Sequence, residues 1–357
     1  MLAAPAGSHY ATPMRRLLPL LAACALLAAC DRIVDRQIER GLTRVRADLA
    51  TSPDLHVFLC GTGSPLPDPD RAGPCTAVVA GGALYLVDVG PGSWEVVDLT
   101  GLPTSKLAGV FLTHFHSDHI GDLGETIVQS WIAGRARTLD VYGPPGTGEV
   151  VEGFGRAYAA DARYRVAHHG EAAMPHAAAG AVTNETALGP EPTADAVVFD
   201  HDGLRVTMFR VDHAPVDPAV GYRFDWHGRS VVVSGDTKKS AGVLAHARGA
   251  DLLVHEALAP ALLARVPAVA RRLGMDRLAK LAGDIPAYHT TPVEAAALAR
   301  EAGVPHLVLT HLVPGPPNAL ARRLFLTGVA EAYPGEVTLG RDGAEFRLAA
   351  RPDAGGR

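Results

Sequence analysis

The run Thr113-His114-Phe115-His116-Ser117-Asp118-His119-Ile120-Gly121-Asp122 sets three histidines and a carboxylate within six residues. Imidazole nitrogens and carboxylate oxygens are ordinary zinc ligands. His114 and His116 lie two apart, so an extended backbone points both rings to one side, where they can share a cation. Asp118 and His119 follow as the chain turns toward a helix, within reach of a second cation a few ångströms away. Two adjacent cations lower the pKa of a shared water and stabilise charge on a phosphoryl or sulfuryl oxygen. Each zinc takes about four ligands, so this run cannot fill both sites and further ligands are expected downstream.

Those ligands come with the elements that must hold them. Val110-Phe111-Leu112 reads as a short buried strand that ends in the histidine run. In the second half, Leu204 to Phe209 is a strand leading into Val211-Asp212-His213. Ser230 to Ser234 is a strand that delivers Gly235-Asp236-Thr237, and a carboxylate there has two oxygens with which to bridge cations. Leu252-Leu253-Val254-His255-Glu256 is another strand end, and His306 to Thr310 runs into His311. Thr291, Pro292 and Glu294 form a capping box opening a helix directly after His289. Ligand-type residues thus close four separate apolar strands. Strands alternate with helices in two halves, each starting with antiparallel strands. That pattern predicts an α/β fold, a four-layer αβ/βα sandwich of two mixed sheets with helices outside.

The rest of the chain is read more plainly. Cys75 to Val79 and Leu84 to Val87 form a hairpin ending at Asp88, placed to orient a ligand histidine. Cys60 and Cys75 are read as two free buried thiols, with pairing in an oxidising compartment the alternative. Residues 148–164 read as a helix, and His168-His169 as surface or loop histidines. Residues 171–195 are rich in Ala, Gly, Pro and Thr and read as a loop without a packed element. Residues 65–74, 165–200 and 257–288 read as the loops that wall the pocket. Lys238 and Lys239 are read as solvated surface, with attraction of an anionic ester the alternative.

Taken together, Gly61-Thr62-Gly63, Asp88-Val89-Gly90, the H-x-H-x-D-H run, His213 before Gly221-Tyr222, Ser234-Gly235-Asp236-Thr237, His255-Glu256-Ala257, His289-Thr290-Thr291 and Thr310-His311-Leu312 resemble one group within the metallo-β-lactamase-fold hydrolases. That group is the ribonuclease Z and arylsulfatase-like one. The resemblance covers residues 56–348. It implies a first zinc site of His114, His116 and His213, and a second of Asp118, His119 and His311, with Asp236 bridging. It also implies two zinc ions as cofactors, manganese or iron being the alternative, and matches the group's helix-start histidine to His289 and that residue's glutamate partner to Glu256. Asp118 would orient or deprotonate the water, and His289 would donate a proton to the leaving group.

Composition and the N-terminus steer the substrate. Met14-Arg15-Arg16, the apolar run Leu17 to Ala29 and Leu27-Ala28-Ala29-Cys30 read as a lipoprotein-type signal peptide over 1–29. Cys30 would carry a lipid anchor, 30–52 a helical linker with Val34, Ile38, Leu42, Val45 and Leu49 on one stripe, and 53–350 the hydrolase domain. This places the protein on the periplasmic face of a bacterial membrane. Removing residues 1–29 takes away two arginines and no acid, moving the net charge from −5 to −7. Residues 143–200 hold only Arg156, Arg163 and Arg165, so the basic, glycine-rich arm that tRNA-processing members of the group carry is missing. The expected substrate is accordingly a small anionic phosphoester or sulfate ester with no nucleic acid partner. The alternatives are a ribonuclease Z-like tRNA 3′-end endonuclease and a non-catalytic binding lipoprotein.

Overall fold

The computed structural model describes residues 31–41 and 43–351. Residues 1–30, with the signal-peptide run and Cys30, lie outside the described residues, as does Leu42. Residues 31–41 are helical and solvent-exposed. The compact unit begins at Arg46. The helix expected to reach residue 50 does not extend over residues 43–46, and Leu49 is buried within a short 3-10 turn of the compact unit. Among the described residues, no helix is long and apolar enough to cross a membrane.

The compact unit holds two seven-stranded sheets. The first contains β1 (Leu55–Gly61), β2 (Cys75–Ala80), β3 (Ala83–Val87), β4 (Leu107–Phe111), β5 (Leu139–Gly143) and β6 (Ala181–Glu185). The second contains β7 (Asp195–His201), β8 (Leu204–Arg210), β9 (Val220–Trp226), β10 (Arg229–Val233), β11 (Leu252–Leu258), β12 (His306–Val313) and β13 (Glu336–Leu339). The last strand, β14 (Glu345–Leu348), returns to pair with β1, giving the order β14-β1-β2-β3-β4-β5-β6 beside β13-β12-β11-β10-β9-β8-β7. In each sheet the early strands pair antiparallel and the later ones, β3 to β6 and β10 to β13, pair parallel.

Side chains alternate between faces along a strand, and this sorts the core into layers. Leu55, Val57, Leu59, Tyr85 and Phe111 from one sheet meet Met208, Tyr222, Phe224, Val231, Val254 and Val308 from the other. The opposite faces carry Phe58, Val79, Leu84 and Val110 toward helices Ser93–Leu99 and Leu123–Ile132. Leu253, Leu307 and Leu309 pack toward helix Pro292–Ala302. The result is the four-layer αβ/βα sandwich, whose strands are buried on both faces and therefore read as continuous apolar runs.

Four expectations need correction. Cys60 and Cys75 are joined in a disulfide, not free. The register that sets Gly61 opposite Cys75 brings the two Cα atoms to 4.9 Å, within bridging range. Residues 171–195 are not all loop: β6 pairs with β5 over five residues. Backbone hydrogen bonding holds that edge strand, so its polar Thr183 and Asn184 left no apolar signal. The helix at 148–164 runs Thr147–His169, so His168 and His169 are its exposed last turn. Residues 257–288 fold into three short helices, Pro260–Leu263, Val266–Arg272 and Asp276–Asp284. Leu263, Val266, Ala282 and Ile285 pack there on Leu258 and Val313.

Candidate metal centre

The ligand residues meet at the carboxyl ends of β4, β8, β10 and β12, where the strands release their chains into loops. His114 and His116 lie beyond β4, and Asp118 and His119 in the short helix Ser117–Ile120. His213 follows β8, Asp236 follows β10, and His311 lies within β12 near its end. His114, His119, His213, Asp236 and His311 are buried.

Donor atoms converge in two groups: His114, His116, His213 and Asp236, then Asp118, His119 and His311. Asp236 Oδ2 stands between them. It lies 4.0 Å from His114 Nε2 and 3.8 Å from His213 Nε2 on one side, and 3.4 Å from His119 Nε2 and 3.3 Å from His311 Nε2 on the other. Asp118 Oδ2 is 3.6 Å from His119 Nε2 and 3.4 Å from His311 Nε2.

The outer nitrogens of the His114, His119 and His213 rings are occupied, which turns their inner ones toward the centre. His119 Nδ1–H donates to Asp88 Oδ2 at 2.8 Å. Thr113 Oγ1–H donates to the same carboxylate at 2.7 Å and accepts from His114 Nδ1–H at 3.1 Å. His213 Nδ1–H donates to the Tyr288 carbonyl at 3.0 Å. Apart from His114 Nε2, which lies 2.8 Å from His116 Nδ1, the inner atoms have few such partners. Asp118 Oδ2, His119 Nε2, His213 Nε2, Asp236 Oδ1 and His311 Nε2 are buried and lack any hydrogen bond. Buried polar atoms are rarely left so, and five pointing into one space is the pattern of a cation site. Five imidazoles and two carboxylates suit two zinc ions.

Electrostatics agree. Burial pushes His114, His116 and His213 below the ordinary histidine value, leaving them in the neutral form that ligates. Burial opposes charge on Asp236 as well, yet His311 and His119 hold its carboxyl well below the usual range. Burial likewise opposes charge on His119, but Asp236 and Asp88 raise it well above its ordinary value. The two carboxylates draw positive charge to that spot, as they would draw a cation.

Beside the centre, Glu256 Oε1 accepts from His289 Nδ1–H at 3.0 Å, from the Thr290 N–H at 3.0 Å and from the Thr237 N–H at 3.2 Å. The His289 ring lies 5.3 Å from that of His213 and 5.5 Å from that of His311. His289 also groups with Asp236 and His311 as a possible donor set. Lys238 and Lys239 pair with Asp212 at 3.5 Å and Glu301 at 3.8 Å, in keeping with the surface reading.

Sequence reasoning missed Thr113, the Tyr288 carbonyl and Asp342. Asp342 Oδ1 accepts from the Thr62 N–H at 2.9 Å and Oδ2 from the Ala72 N–H at 2.6 Å, pinning the Gly61–Gly63 turn from 280 residues away. No local signal marks such a partner. Gly235 was legible as part of the strand-end motif, and the structure shows its role. Its φ is +61°, and a Cβ there would stand 2.6 Å from the Val220 carbonyl and 3.0 Å from Thr113. Gly235→Ala is expected to cost about 1–3 kcal/mol and to displace Asp236. Thermal unfolding with metal analysis of the purified variant checks this: a lower Tm and less bound metal are expected.

Two facing mixed sheets with a seven-donor centre at their strand ends define a metallohydrolase, and the sequence places it further. Residues 85–312 match the family model of the beta-lactamase superfamily domain. Ribonuclease Z of Mycobacterium bovis is 38% identical over 293 residues, covering 81% of this chain and 96% of the relative. Ribonuclease Z of Mycolicibacterium gilvum is 39% identical over 263 residues, covering 73% and 85%. Among solved structures, the short form of human tRNase Z aligns with a TM-score of 0.57 at 23% identity, over 82% of this chain and 99% of that one. A diphosphatase from the PhnP family aligns at 0.53 and 16% identity, over 83% and 100%. The chain belongs to the metallo-β-lactamase superfamily, in its ribonuclease Z group.

This overturns the expectation of a small anionic ester as partner with no nucleic acid. The relatives matched over nearly their whole length are ribonucleases. Net charge was the wrong guide, because it averages over the surface. The three helices over 260–284 expose Arg265, Arg271, Arg272, Arg277 and Lys280 against Asp276 and Asp284.

Proposed function

We propose that the protein is a two-zinc endonuclease that cleaves phosphodiester bonds in RNA, with a tRNA precursor bearing a 3′ trailer as the substrate to test. The observation that carries this is the complete donor set in a chain that matches ribonuclease Z over 96% of the relative's length. When bound, two zinc ions supply a nucleophile near neutral pH and positive charge for the phosphoryl oxygens. His114, His116 and His213 would hold one, Asp118, His119 and His311 the other, and Asp236 both. Asp118, whose Oδ2 has no hydrogen-bond partner, accepts the proton of the attacking water. His289, kept protonated by Glu256, gives its proton to the leaving ribose oxygen. The test is cleavage of a labelled precursor by zinc-loaded protein. A single cut is expected. Turnover of bis(p-nitrophenyl) phosphate with no cut in RNA would exclude the endonuclease reading.

The basic face over 260–284 supports an RNA substrate, since its helices pack on the strand ends that carry Glu256 and His311. Arg271→Glu with Arg272→Glu is expected to raise KM for RNA about tenfold. The salt dependence of binding should flatten by about 0.7 in log–log slope for each phosphate that the variant no longer neutralises. Hydrolysis of bis(p-nitrophenyl) phosphate by the same variant, expected unchanged, separates weakened RNA binding from misfolding.

Location is proposed separately. The apolar run before Cys30 and the Cys60–Cys75 bridge support residence in the cell envelope, because disulfides persist in oxidising compartments. The RNA met there would not be a nascent tRNA precursor. Fractionation of cells decides: recovery with the cytosol would return the tRNA precursor as the natural substrate.

A further inference from the structure

A second line of reactive groups stands away from the metal centre, where β1 begins. His56 is buried, and both its ring nitrogens are committed. Nδ1–H donates to Glu345 Oε1 at 2.9 Å, and Ser52 Oγ lies 2.8 Å from Nε2. The pairing of β1 with β14 brings Glu345 there from 289 positions away. Arg46 Nη1 donates to Glu345 Oε2 at 3.0 Å, so the carboxylate is charged and fixed. Ser52 Oγ accepts from the Asp54 N–H at 3.2 Å, which leaves its own proton directed at Nε2. A cleft of about 540 Å³ opens over Ser52 and His56 and is bordered by Arg46 and Arg347. Arg347 donates from Nε to Asp54 at 2.5 Å, and its η nitrogens have no hydrogen bond among the described residues.

Strand pairing alone holds β1 against β14. What the polar line adds is a base aimed at a half-exposed hydroxyl, held in the tautomer that accepts its proton. That is the arrangement of an activated serine nucleophile, recognised by geometry and roles rather than by sequence position. We propose that Ser52, His56 and Glu345 form a second hydrolytic site, which takes small carboxylic esters. Ser52 Oγ attacks the acyl carbon while its proton passes to His56 Nε2. The Arg347 guanidinium meets the charge on the carbonyl oxygen. The ester C–O bond then breaks, and the alcohol leaves with the proton from His56. Water, deprotonated by His56, attacks the acyl-serine, releases the carboxylic acid and restores Ser52. Glu345 is a positioning residue that keeps Nδ1 protonated and the ring aligned.

The test uses the full chain with zinc bound, a fluorophosphonate probe and p-nitrophenyl acetate. A single covalent adduct on Ser52, mapped by peptide mass spectrometry, is expected together with acetate release. Ser52→Ala should lower ester turnover at least about 100-fold while RNA cleavage is unchanged, and Asp236→Ala should leave labelling and ester turnover intact. Glu345→Gln should lower kcat with little change in KM and move the pH limb that reports His56. No adduct on Ser52, or ester hydrolysis that survives Ser52→Ala, overturns the proposal. Because the unsubstituted protein is the one labelled, the adduct is read independently of how any variant folds.

Discussion

Asp236→Ala is expected to abolish RNA cleavage, by at least about 10³-fold, and to leave the purified protein with less than two equivalents of metal. One oxygen of this residue lies within 4.0 Å of the Nε2 atoms of His114, His119, His213 and His311, so both ligand groups depend on it. Its loss leaves each site with three donors and removes negative charge that would offset two dications in a largely buried site. The effect should exceed that of losing any one histidine. Elemental analysis after dialysis, beside single-turnover cleavage, checks it. Two retained metals with full activity would show that Asp236 bridges nothing. Asn at this position keeps the shape and one ligating oxygen but not the charge. Partial metal retention with Asp236→Asn therefore separates the contribution of charge from that of geometry.

The centre was largely legible because each ligand ends an apolar strand. A β-branched run such as Val231-Val232-Val233 reads as a buried strand, and the residues after it then sit at a sheet edge beside the other strand ends. The H-x-H-x-D-H run, His213, Asp236 and His311 were found this way, and the alternation of strands and helices carried the two-sheet core. What escaped depends on pairing between distant residues. Nothing near Cys60 says that Cys75 stands opposite it; the β1–β2 register does. Nothing near His56 points to Glu345. The edge strand β6 has no apolar face to betray it, and the helices over 260–284 are broken by Pro260, Pro267 and Gly274 into pieces too short for a periodic signal. Charge was legible as a sum and misleading as a guide, since the acidic total hid a local excess of exposed basic residues over 260–284. Function at the level of a metallohydrolase follows from which residue types meet. The substrate is set by such surfaces, and they show only once the chain is folded.

His289→Ala is expected to lower RNA cleavage by about 10²–10⁴-fold while bound metal stays at two equivalents. The ribose oxygen is a poor leaving group and needs a proton as its bond to phosphorus breaks. p-Nitrophenolate leaves without one, so turnover of bis(p-nitrophenyl) phosphate should fall far less. An equal fall on both substrates would mean that His289 is not the acid. A loss of metal would instead make it a ligand beside Asp236 and His311, a role its position also permits. The pH profile gives an independent reading. Burial lowers the His289 pKa, but Glu256 outweighs it and raises the value above the ordinary one. The working acid is the protonated ring, so activity is present below that raised pKa and lost as pH climbs through it. Glu256→Gln removes the carboxylate that holds the proton on. His289 then deprotonates at lower pH, and the alkaline limb should move toward neutrality. A limb that stays in place in Glu256→Gln and persists in His289→Ala would assign it to another group. Asp118 would not serve, because its carboxyl lies below the usual range and titrates on the acid side.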